Sequence, residues 1–150
     1  MIMGNESMRV LITGGAGLVG SECCRLFSSE GWDVTSIDNY FRGRIFGNEA
    51  DTRANIKKLL REFNIEHHEL DFRDKRIIPF IEKADAIIHA AAQPSHPMSI
   101  RVPVIDFRTN LWGTFSLLEC VRKYNKDAVF IYCSTNKVYG DTPNYFAYKK

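Results

Sequence analysis

The sixteen residues RVLITGGAGLVGSECC, from Arg9 to Cys24, constrain this chain more than any other stretch. An apolar strand-like run, residues 8–13, leads straight into Gly14, Gly17 and Gly20, and a helical pattern covers residues 17–30. A chain that turns from strand to helix through glycines can lay backbone N–H groups against a pyrophosphate, because no side chains intervene and a helix N-terminus favours anions. Leu18 and Val19 fall inside the same turn and count with the glycines as cofactor-binding positions. A glycine triplet alone is a weak signal, but Asp38 follows eighteen residues beyond Gly20, where the next strand ends. A carboxylate there accepts hydrogen bonds from a ribose 2′-hydroxyl and repels a 2′-phosphate, which favours NAD over NADP. Asn39 and Arg42 count with Asp38 as cofactor-binding positions, Arg42 being the neighbour that could accommodate a phosphate; the plainer alternative is that Asp38 and Asn39 are solvated turn residues.

Strand and helix patterns go on alternating. Strand-like runs at 33–37, 66–70, 86–89 and 128–133 are separated by helical patterns at 52–63, 75–83 and 100–124. This order reads as βαβ units in a doubly wound, Rossmann-like α/β fold, with a parallel sheet ordered 3-2-1-4-5. Ile56, Leu59, Leu60 and Phe63 follow the helical period, as do Phe107, Leu111, Phe115, Leu118 and Val121, and both stripes are expected to face the core. Residues 39–51 make the longest irregular stretch and suit a surface loop beside a ligand. His67 and His68 are adjacent on a strand, so they point to opposite faces and cannot form a metal pair there. His89 reads as a strand-end histidine with ordinary partners, and no metal site is expected.

Length and charge narrow the partners. The chain of 150 residues suits one domain, 8–150 after a short leader at 1–7, and a globule of this size buries roughly 70% of the surface its unfolded chain exposes. The net charge is +2 and the basic residues are scattered, which argues against nucleic acid or an anionic membrane as partner. No apolar run approaches the ~18 residues of a membrane span. Four cysteines without metal-type spacing, and no apolar signal segment, suggest a reduced, cytoplasmic protein. A homo-oligomer is left open.

The Gly-x-x-Gly-x-x-Gly spacing, preceded by Thr13, resembles the extended short-chain dehydrogenase/reductase family of nucleotide-sugar epimerases and dehydratases. Four further segments match in order: LDFRD at 70–74, IHAAAQPS at 88–95, TNLWGT at 109–114 and CSTNKVYG at 133–140. The resemblance implies that the Asp71 side chain and Phe72 backbone contact adenine, and that Ala90, Ala91 and Ala92 let NAD pass close to the backbone. Gln93 belongs to the same segment. It further implies that Asn110, costly in mid-helix without a purpose, fixes backbone and water near the active site.

In that family hydride leaves a sugar carbon for NAD while a tyrosine takes the hydroxyl proton. A lysine four residues later lowers the tyrosine pKa, and a Ser or Thr hydroxyl holds the reacting oxygen. The matching hydroxyl is Thr135, three residues before Val138, with Ser134 second. Dehydratases of the family carry an acidic pair where this chain has Asn136 and Lys137. The run STNKVYGD, the IDNYFRG segment and Gln93 are similar to the branch that epimerises C2 of CDP-paratose, so a CDP-sugar or other nucleotide sugar is the implied substrate. Tyr145 and Lys149 have the catalytic spacing, but Tyr145 lies only ten residues after Thr135, with Pro143 between. They are expected to be a look-alike, and the chain an inactive N-terminal portion of a longer enzyme whose sugar-binding domain lies elsewhere. A non-catalytic NAD(H)-binding module, or reductase or dehydratase chemistry, is the alternative.

Overall fold

The computed structural model describes residues 7–135, together with Gly140 and Tyr145. Among these residues five parallel strands, β1 (Arg9–Thr13), β2 (Asp33–Asp38), β3 (Ile65–Glu69), β4 (Ala86–His89) and β5 (Val129–Tyr132), form one sheet ordered β3-β2-β1-β4-β5. The expected order is therefore observed. β1 is central, with Thr13 in register with Ile37 on one side and His89 on the other.

The alternation along β1 builds two cores. Val10 and Ile12 pack with Cys24 of α1 (Leu18–Ser29) and with Ile56 and Leu59 of α3 (Arg53–Glu62). Leu11 points the other way, toward Ile81 of α4 (Ile78–Lys83) and Leu117 and Val121 of α7 (Thr114–Tyr124). Helices on both faces bury β1 from Val10 to Thr13, which is why its sequence is almost continuously apolar. The Asn125 amide fastens the end of α7 to that of α4, donating to the Ile81 and Ala84 carbonyls at 2.8 and 2.7 Å.

Two expectations about element boundaries, and two about buried faces, need correction. Residues 39–51 are not wholly irregular, because they contain α2 (Phe41–Phe46) and a 3₁₀ turn at Asn48–Ala50. The Asn39 side-chain Oδ1 accepts the Phe41 N–H at 3.0 Å, which offers this short helix a start, and Gly47 at φ +86° ends it. The single helix expected at 100–124 is broken into α5 (His96–Arg101), α6 (Pro103–Asp106), a π-helical segment (Phe107–Gly113) and α7. Pro103, which has no N–H, marks the first break.

The π-helical segment also changes which face is buried. Thr109, Gly113, Leu117 and Val121 form the inward stripe, whereas Phe107, Leu111, Phe115 and Leu118 are 54%, 62%, 52% and 42% exposed. Of the expected core stripe only Val121 is buried. Likewise Leu60 of α3 is exposed while Ile56 and Leu59 pack. Gly113 faces inward because Phe72 occupies the space: a Cβ there would lie 2.8 Å from the ring.

The two adjacent histidines do diverge. His67 meets Ser36 and Tyr40, while His68 pairs with Glu66 and lies beside Phe80 of α4. No helix among the described residues is long and apolar enough to cross a membrane.

Candidate functional site

The turn after β1 is fastened on both sides. The Gly14 and Gly15 N–H groups donate to the Ile37 carbonyl at 2.7 and 3.2 Å, and the Thr13 carbonyl accepts the Ala90 N–H at 3.1 Å. This brings the ends of β2 and β4 against the same glycines. Gly14 sits at φ +73°, and a Cβ there would stand 2.6 Å from the Ala91 nitrogen. A Cβ on Gly20 would come within 2.1 Å of the Gly14 carbonyl oxygen, so α1 can begin this close to the turn only without one. No side chain caps α1 at Gly17, and its first turn carries no acid. Its leading N–H groups and dipole are thus available to an anion. A diphosphate fits a cradle that a single Cβ would fill.

Asp38 is oriented before any ligand arrives. Its Oδ1 accepts the Tyr40 N–H at 2.7 Å and its Oδ2 the Ala16 N–H at 3.1 Å. A carboxylate has about four lone-pair sites, so acceptor capacity remains on both oxygens. Tyr40 supports this arrangement from the left-handed region, φ 53°, a conformation that costs on the order of 1–2 kcal/mol for a residue with a side chain. Its hydroxyl lies 2.7 Å from His67 Nε2, and the Arg53 guanidinium sits 4.2 Å over its ring. Burial, aided by Asp38 and Glu69, raises the Tyr40 pKa.

A cleft of about 320 Å³ opens between these turns, lined by Gly14, Gly17, Leu18, Val19, Gly20, Asp38, Asn39, Arg42, Phe72, Ala90, Ala91 and Ala92. Twelve of the residues singled out from the sequence thus share one wall system. Five others stand outside its lining. Asp71 is held by Arg73, whose guanidinium donates to both carboxylate oxygens at 2.8 and 2.6 Å, and by the Asn39 amide at 2.7 Å. Burial works against the Asp71 carboxylate, but these hydrogen bonds outweigh it and hold its pKa below the usual value. Gln93 is buried beneath the turn that follows β4, and Asn110 pairs with its backbone. Ser134 and Thr135 are exposed just beyond β5. Tyr145 is 83% exposed, and Lys149 lies outside the described residues.

The cleft also draws on residues that the sequence did not single out: Phe41, Arg73, Pro94 and Thr109 among them. Arg73 had a signal in the Asp-x-Arg pair of LDFRD, and Thr109 in the Thr109, Gly113, Leu117, Val121 spacing. Gly15 falls outside the Gly-x-x-Gly-x-x-Gly spacing, although a Cβ there would meet the Ser36 hydroxyl at 2.0 Å. Beneath the cleft His89 is fully buried, with Nδ1 2.6 Å from Thr13 Oγ1 and Nε2 3.0 Å from Thr114 Oγ1. Burial lowers its pKa to about 4. A neutral ring with one donor and one acceptor nitrogen satisfies both hydroxyls, as the structural reading of this histidine expects.

Residues 10–148 match the model of the NAD dependent epimerase/dehydratase family. Over 141 residues the chain is 38% identical to CDP-paratose 2-epimerase of Salmonella typhi, covering 92% of this chain and 40% of that relative. It is 32% identical to a UDP-glucose 4-epimerase of Schizosaccharomyces pombe, covering 88% of the chain and 36% of the relative. Among solved structures, a UDP-glucose 4-epimerase from Stenotrophomonas maltophila with bound NAD and formylated UDP-arabinopyranose superposes with a TM-score of 0.73 at 27% identity, covering 89% of this chain and 38% of that one. The UDP-Glc/GlcNAc 4-epimerase of Campylobacter jejuni gives 0.75 at 26%, covering 90% and 39%. The chain thus spans about two fifths of the length of these relatives.

Proposed function

Because the chain belongs to the NAD-dependent epimerase/dehydratase family, we propose that residues 8–150 are the NAD-binding part of a nucleotide-sugar epimerase. The observation that carries this reading is one cleft that joins an uncapped helix N-terminus, ringed by Gly14, Gly17 and Gly20, to the pre-oriented carboxylate of Asp38. NAD, when bound, would supply a two-electron acceptor for hydride from a sugar carbon and the donor for its return to the opposite face. The glycine turn and α1 bind the diphosphate, and Asp38 accepts from the ribose. Phe72 walls the adenine end, with Asp71 holding Arg73 and Asn39 in place there. Thr135, with Ser134 beside it, supplies the hydroxyl that orients the reacting oxygen.

The substrate we favour is CDP-paratose, inverted at C2. It is supported by the 38% identity to the CDP-paratose epimerase, and by Asn136 and Lys137 standing where the family's dehydratases carry acids. The working compartment is the cytoplasm, which suits four free cysteines, three of them with thiol pKa values that burial raises. We assign the tyrosine base and its lysine to a segment other than Tyr145 and Lys149, because Tyr145 lies only ten residues after Thr135, with Pro143 between.

The test follows the change at C2 of CDP-paratose with three proteins: this chain, its Tyr145→Phe variant, and a longer gene product that contains it. Loss of a general base alone commonly lowers the rate ~10²–10⁴-fold. The expected result is turnover by the longer product only, unchanged by Tyr145→Phe. Turnover by the 150-residue chain that Tyr145→Phe abolishes would make Tyr145 and Lys149 the working pair.

A further inference from the structure

Gln93, the residue after Ala90, Ala91 and Ala92, joins a knot of hydrogen bonds that converges on one oxygen. Asp106 Oδ1 accepts from Asn110 Nδ2 at 2.8 Å, from the Ser99 hydroxyl at 2.9 Å and from Gln93 Nε2 at 3.3 Å. Asn110 in turn pairs with both backbone groups of Gln93: its Oδ1 accepts the Gln93 N–H at 2.8 Å, and its Nδ2 donates to the Gln93 carbonyl at 2.9 Å. Gln93 is 4% exposed, and its Oε1 takes the Ser95 N–H at 2.6 Å. Its chain neighbours Ala92 and Pro94 both line the cleft. The knot therefore sets the position of the wall that faces Gly14.

Asp106 holds the deciding place in this knot. An ionised carboxylate only accepts, so the Asn110 amide must turn its nitrogen toward Asp106, which leaves its oxygen for the Gln93 N–H. Reversed, the amide would set N–H against N–H and lose the two-point pairing. Asp106 also closes α6 immediately before the π-helical segment that carries Asn110. We propose that Asp106 is a positioning residue for the cofactor cleft: it fixes the Asn110 amide and, through it, the turn after β4, without touching the dinucleotide.

This inference rests on NAD occupying the cleft, with its adenosine half toward β2 and Asp38 and its other half toward β4. The order β3-β2-β1-β4-β5 puts those halves on opposite sides of β1. Disturbing the β4 turn should thus weaken NAD and spare ADP. The experiment titrates NAD and ADP calorimetrically into the wild-type chain, Asp106→Ala and Asp106→Asn, well below each protein's melting temperature. Asp106→Ala is expected to raise the NAD Kd about tenfold, the value of one charge-assisted hydrogen bond, and to leave the ADP Kd within about twofold. Asp106→Asn keeps an acceptor oxygen but not the charge, and should recover part of the NAD affinity. A purely structural role would lower the melting temperature but weaken both ligands equally or neither, and either outcome would overturn the proposal. Should Asp106→Ala not fold, Asp106→Glu, which displaces the acceptor by one carbon, must show the same NAD-over-ADP split in smaller measure. A wild-type chain that bound ADP but not NAD would sink the cofactor reading itself.

Discussion

Gly20→Ala is expected to lower NAD affinity about a hundredfold or more and to destabilise the fold by roughly 2–3 kcal/mol. The added Cβ would sit 2.1 Å from the Gly14 carbonyl oxygen and 2.7 Å from its carbon. Neither is the end of a flexible side chain, so α1 must move away from the turn. Moving α1 carries its N–H groups away from the diphosphate position, and the same shift loosens Cys24 against the core that contains Val10 and Ile12. Gly17→Ala is the internal comparison: its Cβ would meet the same oxygen at 3.2 Å, a contact that a small adjustment relieves. Calorimetric NAD titration with urea unfolding of both variants checks the ranking. Equal losses at positions 17 and 20 would mean that the turn is not packed as described.

Acid should unfold this protein earlier than its carboxylates alone require. Burial disfavours the charged His89 ring and lowers its pKa from the usual 6.5 to about 4 in the folded chain. The unfolded state then binds the proton that the folded state refuses. The stabilisation is complete above about pH 6.5 and is lost as pH falls toward 4. A gap of this size amounts to about 3 kcal/mol. His67, whose pKa burial also lowers, adds to the loss in the same direction. Unfolding by urea between pH 7 and pH 4.5 should show the decline. His89→Asn, which keeps one polar partner for the threonines, should be less stable at pH 7 but lose clearly less over that interval. An unchanged pH slope in the variant would remove His89 as the cause.

The glycine turn, Asp38 and the strand order were legible because each is set locally. Alternating apolar runs fix which segments become strands, and a strand–glycine–helix junction admits few geometries. Residues 100–124 depart from their hydrophobic pattern for a physical reason. Their most apolar stripe, Phe107, Leu111, Phe115 and Leu118, is the exposed one, while the buried stripe begins with Thr109 and Gly113. A π-helical turn shifts the phase of everything before it, and Phe72 needs a glycine rather than a large residue opposite it. Hydrophobic periodicity measures composition along a face, and here the packing partner chose the face. Asp71 shows the other limit. Its segment was legible, yet only the fold reveals that Arg73 and Asn39 already occupy its carboxylate.

The central claim is that Asp38 receives the adenosine ribose of NAD in the cleft between β2 and β4. The most direct measurement is calorimetric titration of NAD and NADP into the wild-type chain and Asp38→Ala. The wild type should bind NAD at least about tenfold more tightly than NADP, since a carboxylate accepts from the 2′-hydroxyl and repels a 2′-phosphate. Asp38→Ala should weaken NAD far more than NADP and so erase the difference. Equal affinity for the two cofactors in the wild-type protein would contradict the account and place Arg42, on the same cleft wall, in the deciding role.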